Sequence, residues 1–274
     1  MEPLFVTVNL MGGLGNQMFQ IAAAYAYSKG TGRCLRLLQN TSLNDVRLLY
    51  WDSILSRWSP YFVSSLPHDM ASWNDIEPCL YTPIPESSSS GLQLRGSFQS
   101  SKYFGGHATR CEIREYMRAT PDSILAKYAG LLQQRHRVVV VHARRTDYLR
   151  NDYIINFHGP LTVDYYQRAM ERMATYVDSP IFLLCSDDNR FWTDNLAALP
   201  LLHRHTYQIL EEESDVVTLA LLQQFPNFIL ANSSFSWWAA WLAEAQHVIA
   251  PIRWFGPGGP KHYEDIYEDG WERM

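Results

Sequence analysis

The sequence predicts an α/β protein of two lobes, each built on a parallel sheet and facing a shared cleft. Three observations predict it. Strand-like and helix-like segments alternate along the chain. The second half is the clearest, with four strands interleaved by three helices, and the first half repeats the pattern more loosely. Polar clusters fall at the carboxyl ends of the later strands, where open parallel sheets bind their ligands.

The elements follow in order. LFVTVNL (4–10) is a short β-rich run. After MGGLG, the stretch NQMFQIAAAYAYSKG (16–30) places Phe19, Ala22, Ala23 and Ala26 on one helix face, with Gly30 as a stop. CLRLL (34–38) reads as the next strand. Residues 40–90 give no clear pattern; they are rich in Trp, Pro and Ser and end in PIPESSSSG, a loop by composition. LQLRGSF (92–98) is strand-like, and PDSILAKYAGLL (121–132) is helical with Pro121 near its start.

The second half begins with RVVVVHA (137–143), a buried strand. TVDYYQRAMERMATYV (162–177) is a helix with Tyr166, Ala169, Met170 and Met173 on one face. IFLLCSDD (181–188) is a strand ending on two aspartates. SDVVTLALLQQF (214–225) is a helix capped by Ser214. FIL (228–230), SSFSWWAAWLAEA (233–245) and HVIA (247–250) are strand, helix and strand, with Phe235, Trp238 and Leu242 on the core face. Both halves are therefore Rossmann-like, with a boundary near Arg135 that divides the chain into 1–134 and 135–274.

Composition bounds the function. Of 274 residues, 47% are apolar and 19% charged, enough for a real core. A net charge of −5 argues against a general nucleic-acid binder, so anion binding must come from local arginines. Cys34, Cys79, Cys111 and Cys185 form no C-x-x-C, and four buried free thiols are expected. The apolar run at the N-terminus is too short for a signal peptide or a membrane span. A cytoplasmic protein follows, compatible with a peripheral place at a membrane assembly.

Three clusters converge at strand ends: His142, Arg144, Arg145 and Asp147; Ser186, Asp187 and Asp188; Asn232, Ser233 and Ser234. Guanidinium binds phosphate oxygens in two parallel bonds. Adjacent arginines at a strand end point opposite ways, so one meets a ligand while the other pairs with a carboxylate such as Asp147. Serines at a helix start serve as caps or as part of a phosphate site. One carboxylate of the aspartate pair can accept both donors of a guanine edge, or can end a solvated turn. The chain has no D-x-D, and neighbouring aspartates make a poor metal cage. GGLGNQ (12–17) lets a ligand approach backbone, but no G-K-[ST] follows and Met18 stands where a dinucleotide fingerprint needs glycine. Gly15, Asn16 and Gln17 there touch sugar hydroxyls or cap the helix.

Taken together, MGGLGNQMFQIA, GSFQSSKYF, VHARRTDYL, LLCSDD and ANSSFSWWAAWL resemble the α-1,2-fucosyltransferases of glycosyltransferase family 11, in order and from Met11 to Leu242. The resemblance implies a GT-B fold, with an acceptor-side first lobe and a second lobe that binds GDP-β-L-fucose. It implies a galactose-containing acceptor glycan, fucosylated at a galactose hydroxyl, inversion at the anomeric carbon, and neither metal nor other cofactor. Carried over, His142 touches the nucleotide, Arg144 grips the β-phosphate and Arg145 supports the site. Asp187 reads guanine, Asn232, Ser233 and Ser234 hold the diphosphate, and Asn16, with Gly15 and Gln17, lies on the fucose side. A more distant α-1,6-fucosyltransferase has a glutamate at the offset of Asp152, ten residues after His142, which makes Asp152 a candidate base. Asp147 and His158 are further candidates. Two other classes fit parts of the pattern: a dinucleotide-dependent oxidoreductase, and a non-catalytic sugar-nucleotide or glycan binder.

Overall fold

Two continuous apolar runs, VVVV and IFLL, are buried along both faces and form the centre of a parallel sheet. The computed structural model describes residues 3–39, 48–119 and 122–274. Residues 40–47 of the region without pattern, and Pro121, lie outside the described residues. The chain forms two compact units: Met1–Arg118 with His262–Glu268, and Ala119–Lys261 with Asp269–Met274.

In the first unit, β1 (Phe5–Val8) leads through Gly12 and Gly13 into α1 (Leu14–Thr31). Gly12 has φ +73°, and a Cβ there would come 2.5 Å from the Asn16 Nδ2, so the turn needs glycine. The helix runs past Gly30 and stops at Gly32, whose φ of 69° is left-handed. Phe19, Ala22, Ala23 and Ala26 are buried as expected; so are Met18, Ile21 and Ala24, because the helix is covered on more than one side. CLRLL breaks into β2 (Cys34–Leu35) and β3 (Leu37–Leu38). β3 pairs with β4 (Phe62–Val63), and β2 pairs with β1. β5 (Ala71–Asn74) and β6 (Gly91–Arg95) complete a parallel sheet of order β2-β1-β6-β5, followed by α2 (His107–Met117).

The second unit begins with α3 (Asp122–Lys127) and α4 (Ala129–Gln133), then β7 (Val138–Ala143), α5 (Asp152–His158), α6 (Val163–Met173), β8 (Ile181–Ser186) and α7 (Arg190–Asn195). β9 (Thr206–Ile209), α8 (Asp215–Leu222), β10 (Asn227–Ile229), α9 (Ser234–Leu242), β11 (His247–Ala250) and β12 (Glu272–Arg273) follow. All pairings are parallel and the order is β12-β11-β10-β7-β8-β9. The chain builds outward from β7 in one direction, then returns to β7's other side and builds the opposite way. The crevice between the ends of β7 and β10 is therefore the topological switch point.

The division falls at Arg118/Ala119 rather than at 134/135. The helices before β7 belong to the second unit: Lys127 bridges Glu211 and Glu213 at 2.8 and 2.7 Å, and the Gln223 side chain donates to the Ala119 carbonyl. Near the end, His262–Glu268 returns to the first unit, where Asp265 accepts from the Tyr81 N–H at 2.9 Å and pairs with Lys102. The core of the second sheet holds Val139, Val141, Phe182, Leu184 and the predicted α6 face. Burying each such large side chain contributes ~1.5–3 kcal/mol. Trp237, Trp238 and Trp241 are buried packing residues, as read from sequence; Phe235 is not, being half-buried. All four cysteines are free, but only Cys79 and Cys185 are buried; Cys34 and Cys111 are exposed.

Candidate active site

The site is built by register. β7 and β8 pair so that Ala143 lies opposite Ser186, which makes the next residues, Arg144 and Asp187, neighbours. Asp187 accepts the N–H groups of Arg145 at 2.7 Å and Thr146 at 3.1 Å, together with the Thr146 hydroxyl. One carboxylate thus folds the whole turn after β7. Thr146 is helical (φ −50°, ψ −65°) and 147–149 form a single helical turn, so residues three apart share a side. Arg144 accordingly meets Asp147 through two bonds of 2.8 and 2.9 Å, and its Nε lies 3.3 Å from Asp187.

The two arginines do point opposite ways. Arg145 turns inward, donates to the Leu161 carbonyl at 3.1 Å and sits 4.4 Å over the Phe191 ring. The division of labour differs from the sequence expectation: the arginine that faces the cavity also carries Asp147, and the other has no carboxylate ion pair among the described residues.

A cavity of about 240 Å³ opens at this edge. His142, Arg144, Asp187, Glu211, Glu212, Glu213, Asp215 and Phe235 are among its walls. It is not the cationic basin that an arginine pair suggests, because a single guanidinium faces five carboxylates. Glu211–Glu213 come from the segment between β9 and α8, where Lys127 bridges Glu211 and Glu213, and Asp215 opens α8. His142 is buried, and burial holds its pKa down to about 4, so the ring is neutral at pH 7. Its Nδ1 is buried and finds no hydrogen-bond partner among the described residues. The ring lies 5.5 Å from Phe235.

Other expected residues have structural work. Asn232 donates to the carbonyls of His158 at 2.6 Å and Trp254 at 3.0 Å, and its own carbonyl accepts from the Tyr148 hydroxyl at 2.7 Å. It ties together the segments around the switch point. Ser233 caps α9, its hydroxyl accepting from the Phe235 N–H at 3.3 Å, and Ser234 begins the helix. Neither lines the cavity. Asp188 pairs with Arg190, which holds its carboxyl below the usual range. Asp152 is exposed at the start of α5 and is outside the cavity lining; His158 is half-buried with its ring flat against Tyr148 at 4.0 Å.

In the first unit, Gly15 lies in the first turn of α1, and Asn16 accepts from Gln99 at 2.8 Å. Gln17 is fully buried and clamps the turn through the carbonyls of Gly12 and Leu48; Gln20 grips Met11 from the other side. Burial leaves Gln17 no face for a sugar.

Sequence reasoning missed Glu211, Glu212, Glu213, Asp215 and Phe235. The run EEESD was a visible signal, but a charge run ordinarily reads as a solvated turn.

A doubly wound parallel sheet with a polar cavity at its switch point is the frame of nucleotide-binding α/β proteins. Residues 2–274 match the family model Glycosyl transferase family 11, and the chain belongs to that family. It is similar to the Escherichia coli O-antigen biosynthesis glycosyltransferase WbnK, at 26% identity over 90% of this chain and 93% of that one. It is also similar to an E. coli alpha-1,2-colitosyltransferase, at 29% identity over 91% and 92%, and to the Bos taurus galactoside 2-alpha-L-fucosyltransferase SEC1, at 26% over 86% and 64%. Among solved structures, NodZ alpha-1,6-fucosyltransferase co-crystallized with GDP aligns at TM-score 0.57 and 14% identity, covering 90% of this chain and 94% of that one. POFUT1 in complex with GDP aligns at 0.51 and 12%, covering 89% and 95%. At such identities the likeness speaks for the fold, a GT-B-like α/β arrangement. Family membership makes the chain a glycosyltransferase and sets aside the oxidoreductase and the non-catalytic binder. No helix among the described residues is long and apolar enough to cross a membrane.

Proposed function

We propose that the enzyme moves L-fucose from GDP-β-L-fucose to the 2-hydroxyl of a terminal galactose, with inversion and without a metal ion. The observation that carries this reading is Arg144, fixed between Asp147 and Asp187 on the wall of the switch-point cavity. When the C1–O bond breaks, its electron pair passes to a β-phosphate oxygen. A guanidinium already oriented there stabilises that charge without rearranging. The galactose 2-oxygen attacks the opposite face of C1 and gives its proton to a base, for which Asp152 remains our candidate.

The carboxylates divide by role. Both Asp187 oxygens are engaged by the turn, so we assign Asp187 to positioning and the reading of guanine to the opposite rim, at Asp215. The N–H donors on guanine's edge suit that acidic wall, and His142 and Phe235 offer ring faces beside it. Metal independence is supported by Asp187 and Asp188, which are committed to different partners rather than to a shared cage. The relative named for fucose on galactosides supports the donor and acceptor. The location we infer is the cytoplasm, with access to a membrane-bound acceptor.

One observation favours a second donor: the relative named for colitose is the more similar of the two sugar-named ones. Colitose is fucose without its 3-hydroxyl, so the same pocket chemistry serves both. The test is GDP release from each donor against a panel of galactosides. GDP appearing only with GDP-fucose plus a galactoside supports the proposal; turnover confined to a colitose donor selects the alternative; no turnover with either refutes both.

A further inference from the structure

A seven-residue helix does not hold itself together in water, yet α5 is fixed firmly from behind. The N–H groups of Gly256 and Gly258 donate to the carbonyls of Phe157 and Asn156, each at 2.9 Å. Gly159 closes the helix in a left-handed conformation (φ +62°), and Asn232 holds the His158 carbonyl. A Cβ on Gly256 would come 2.3 Å from the Asn156 carbonyl oxygen, and one on Gly259 would come 2.5 Å from that of Phe157. Only glycines allow the segment this close. Phe255 adds an edge contact to Phe157 at 5.7 Å.

Among the polar residues of its exposed side, this helix presents a large aromatic ring. Tyr153 is 72% exposed, with its ring partly stacked on Phe157 at 6.4 Å; Leu149 and Ile155 are also exposed. The same stretch of chain carries Arg144 and Asp147, and Tyr148 stacks on His158 of α5. The far end of α5 therefore meets the turn that carries Arg144, and Tyr153 stands exposed on a rigid element at the other end of that short helix.

We infer that Tyr153 is the platform on which the acceptor sugar lies, and so a specificity-determining residue for a terminal galactoside. This rests on the fucosyl-transfer reading. The axial 4-hydroxyl of galactose leaves one face of the ring bare C–H, and that face covers a phenol ring well. Tyrosine supplies a broad contact with little side-chain entropy to lose. Asp152, exposed beside Tyr153 at the start of the same helix, adds a carboxylate next to the ring.

The experiment compares wild type, Tyr153→Ala and Tyr153→Trp with GDP-fucose and lactose, with GDP affinity measured by calorimetry. The expected result is a galactoside KM raised roughly tenfold in Tyr153→Ala, the size of a lost aromatic contact, restored in Tyr153→Trp, with GDP affinity and the donor KM unmoved. A galactoside KM within about twofold of wild type overturns the inference. So does a parallel loss of GDP affinity, or a self-association lost on sedimentation with KM intact, which makes the patch a contact between copies. If GDP binds to none of the three proteins, the donor reading itself has failed, and this inference falls with it.

Discussion

Arg144 and Asp147 form a two-pronged ion pair, Nε to Oδ1 at 2.8 Å and Nη2 to Oδ2 at 2.9 Å, while Asp187 approaches the same Nε at 3.3 Å. A guanidinium held this way has lost its freedom before any ligand arrives. Lysine cannot reproduce the fork. Arg144→Lys should therefore lose ~10²-fold or more in kcat, the cost of removing one preorganised charge donor, with little change in folding. Near-normal turnover in Arg144→Lys would show that a point charge is enough and that the fork is incidental.

Asp187 acts through the turn it folds. Asp187→Asn keeps the shape but replaces one acceptor oxygen with a donor, facing two N–H groups and a hydroxyl. The expected loss is ~1–3 kcal/mol of stability together with a fall in kcat, while the ratio of guanine- to adenine-nucleotide affinity stays as in wild type. Asp215→Asn should do the converse for recognition: guanine preference eroded, with the turn after β7 intact. If Asp187→Asn erodes the preference instead, the roles are exchanged.

His142 makes the acid limb of stability. Its folded pKa, about 4, lies below the ordinary value of ~6.5. At pH 7 both folded and unfolded forms are neutral, and the full contribution is present. As pH falls below ~6.5 the unfolded ring takes a proton that the folded ring refuses, so stability drains until pH ~4, by on the order of 3 kcal/mol. His158, also lowered by burial, adds in the same direction. Tm measured from pH 7.5 to 4.5 should fall less steeply in His142→Gln; an unchanged slope would assign the acid sensitivity elsewhere.

Gly256 tests the anchoring of α5. Gly256→Ala forces a methyl against the Asn156 carbonyl and should cost ~1–3 kcal/mol, with a galactoside KM that rises while GDP affinity holds. Gly30→Ala is the control, since a Cβ there meets nothing within 4 Å. Equal behaviour of the two variants would mean the close approach carries no strain.

The strands that position the site were legible because they are buried on both faces, and a run such as VVVVHA has few other uses. The α6 face was legible because its burial is one-sided. β9 was not: TYQI is a largely exposed edge strand with no apolar signature, and without it the acidic segment that follows has no place beside β8. β5 and β12 are short and similarly unmarked. The opposed arginines followed from strand alternation, but their partners did not, because Asp147 reaches Arg144 only through the helical turn at Thr146. The return of His262–Glu268 to the first unit joins segments far apart in sequence, which periodicity cannot report.

The central claim is that protein groups alone, Arg144 foremost, take up the charge of departing GDP. Its most direct measurement is GDP release from GDP-fucose with a saturating galactoside in excess EDTA, for wild type and Arg144→Ala side by side. Full wild-type turnover under chelation, with at least ~10²-fold less in the variant, is the predicted result. A wild-type rate that collapses with chelator and returns with a divalent cation, or a variant that keeps pace, would contradict it.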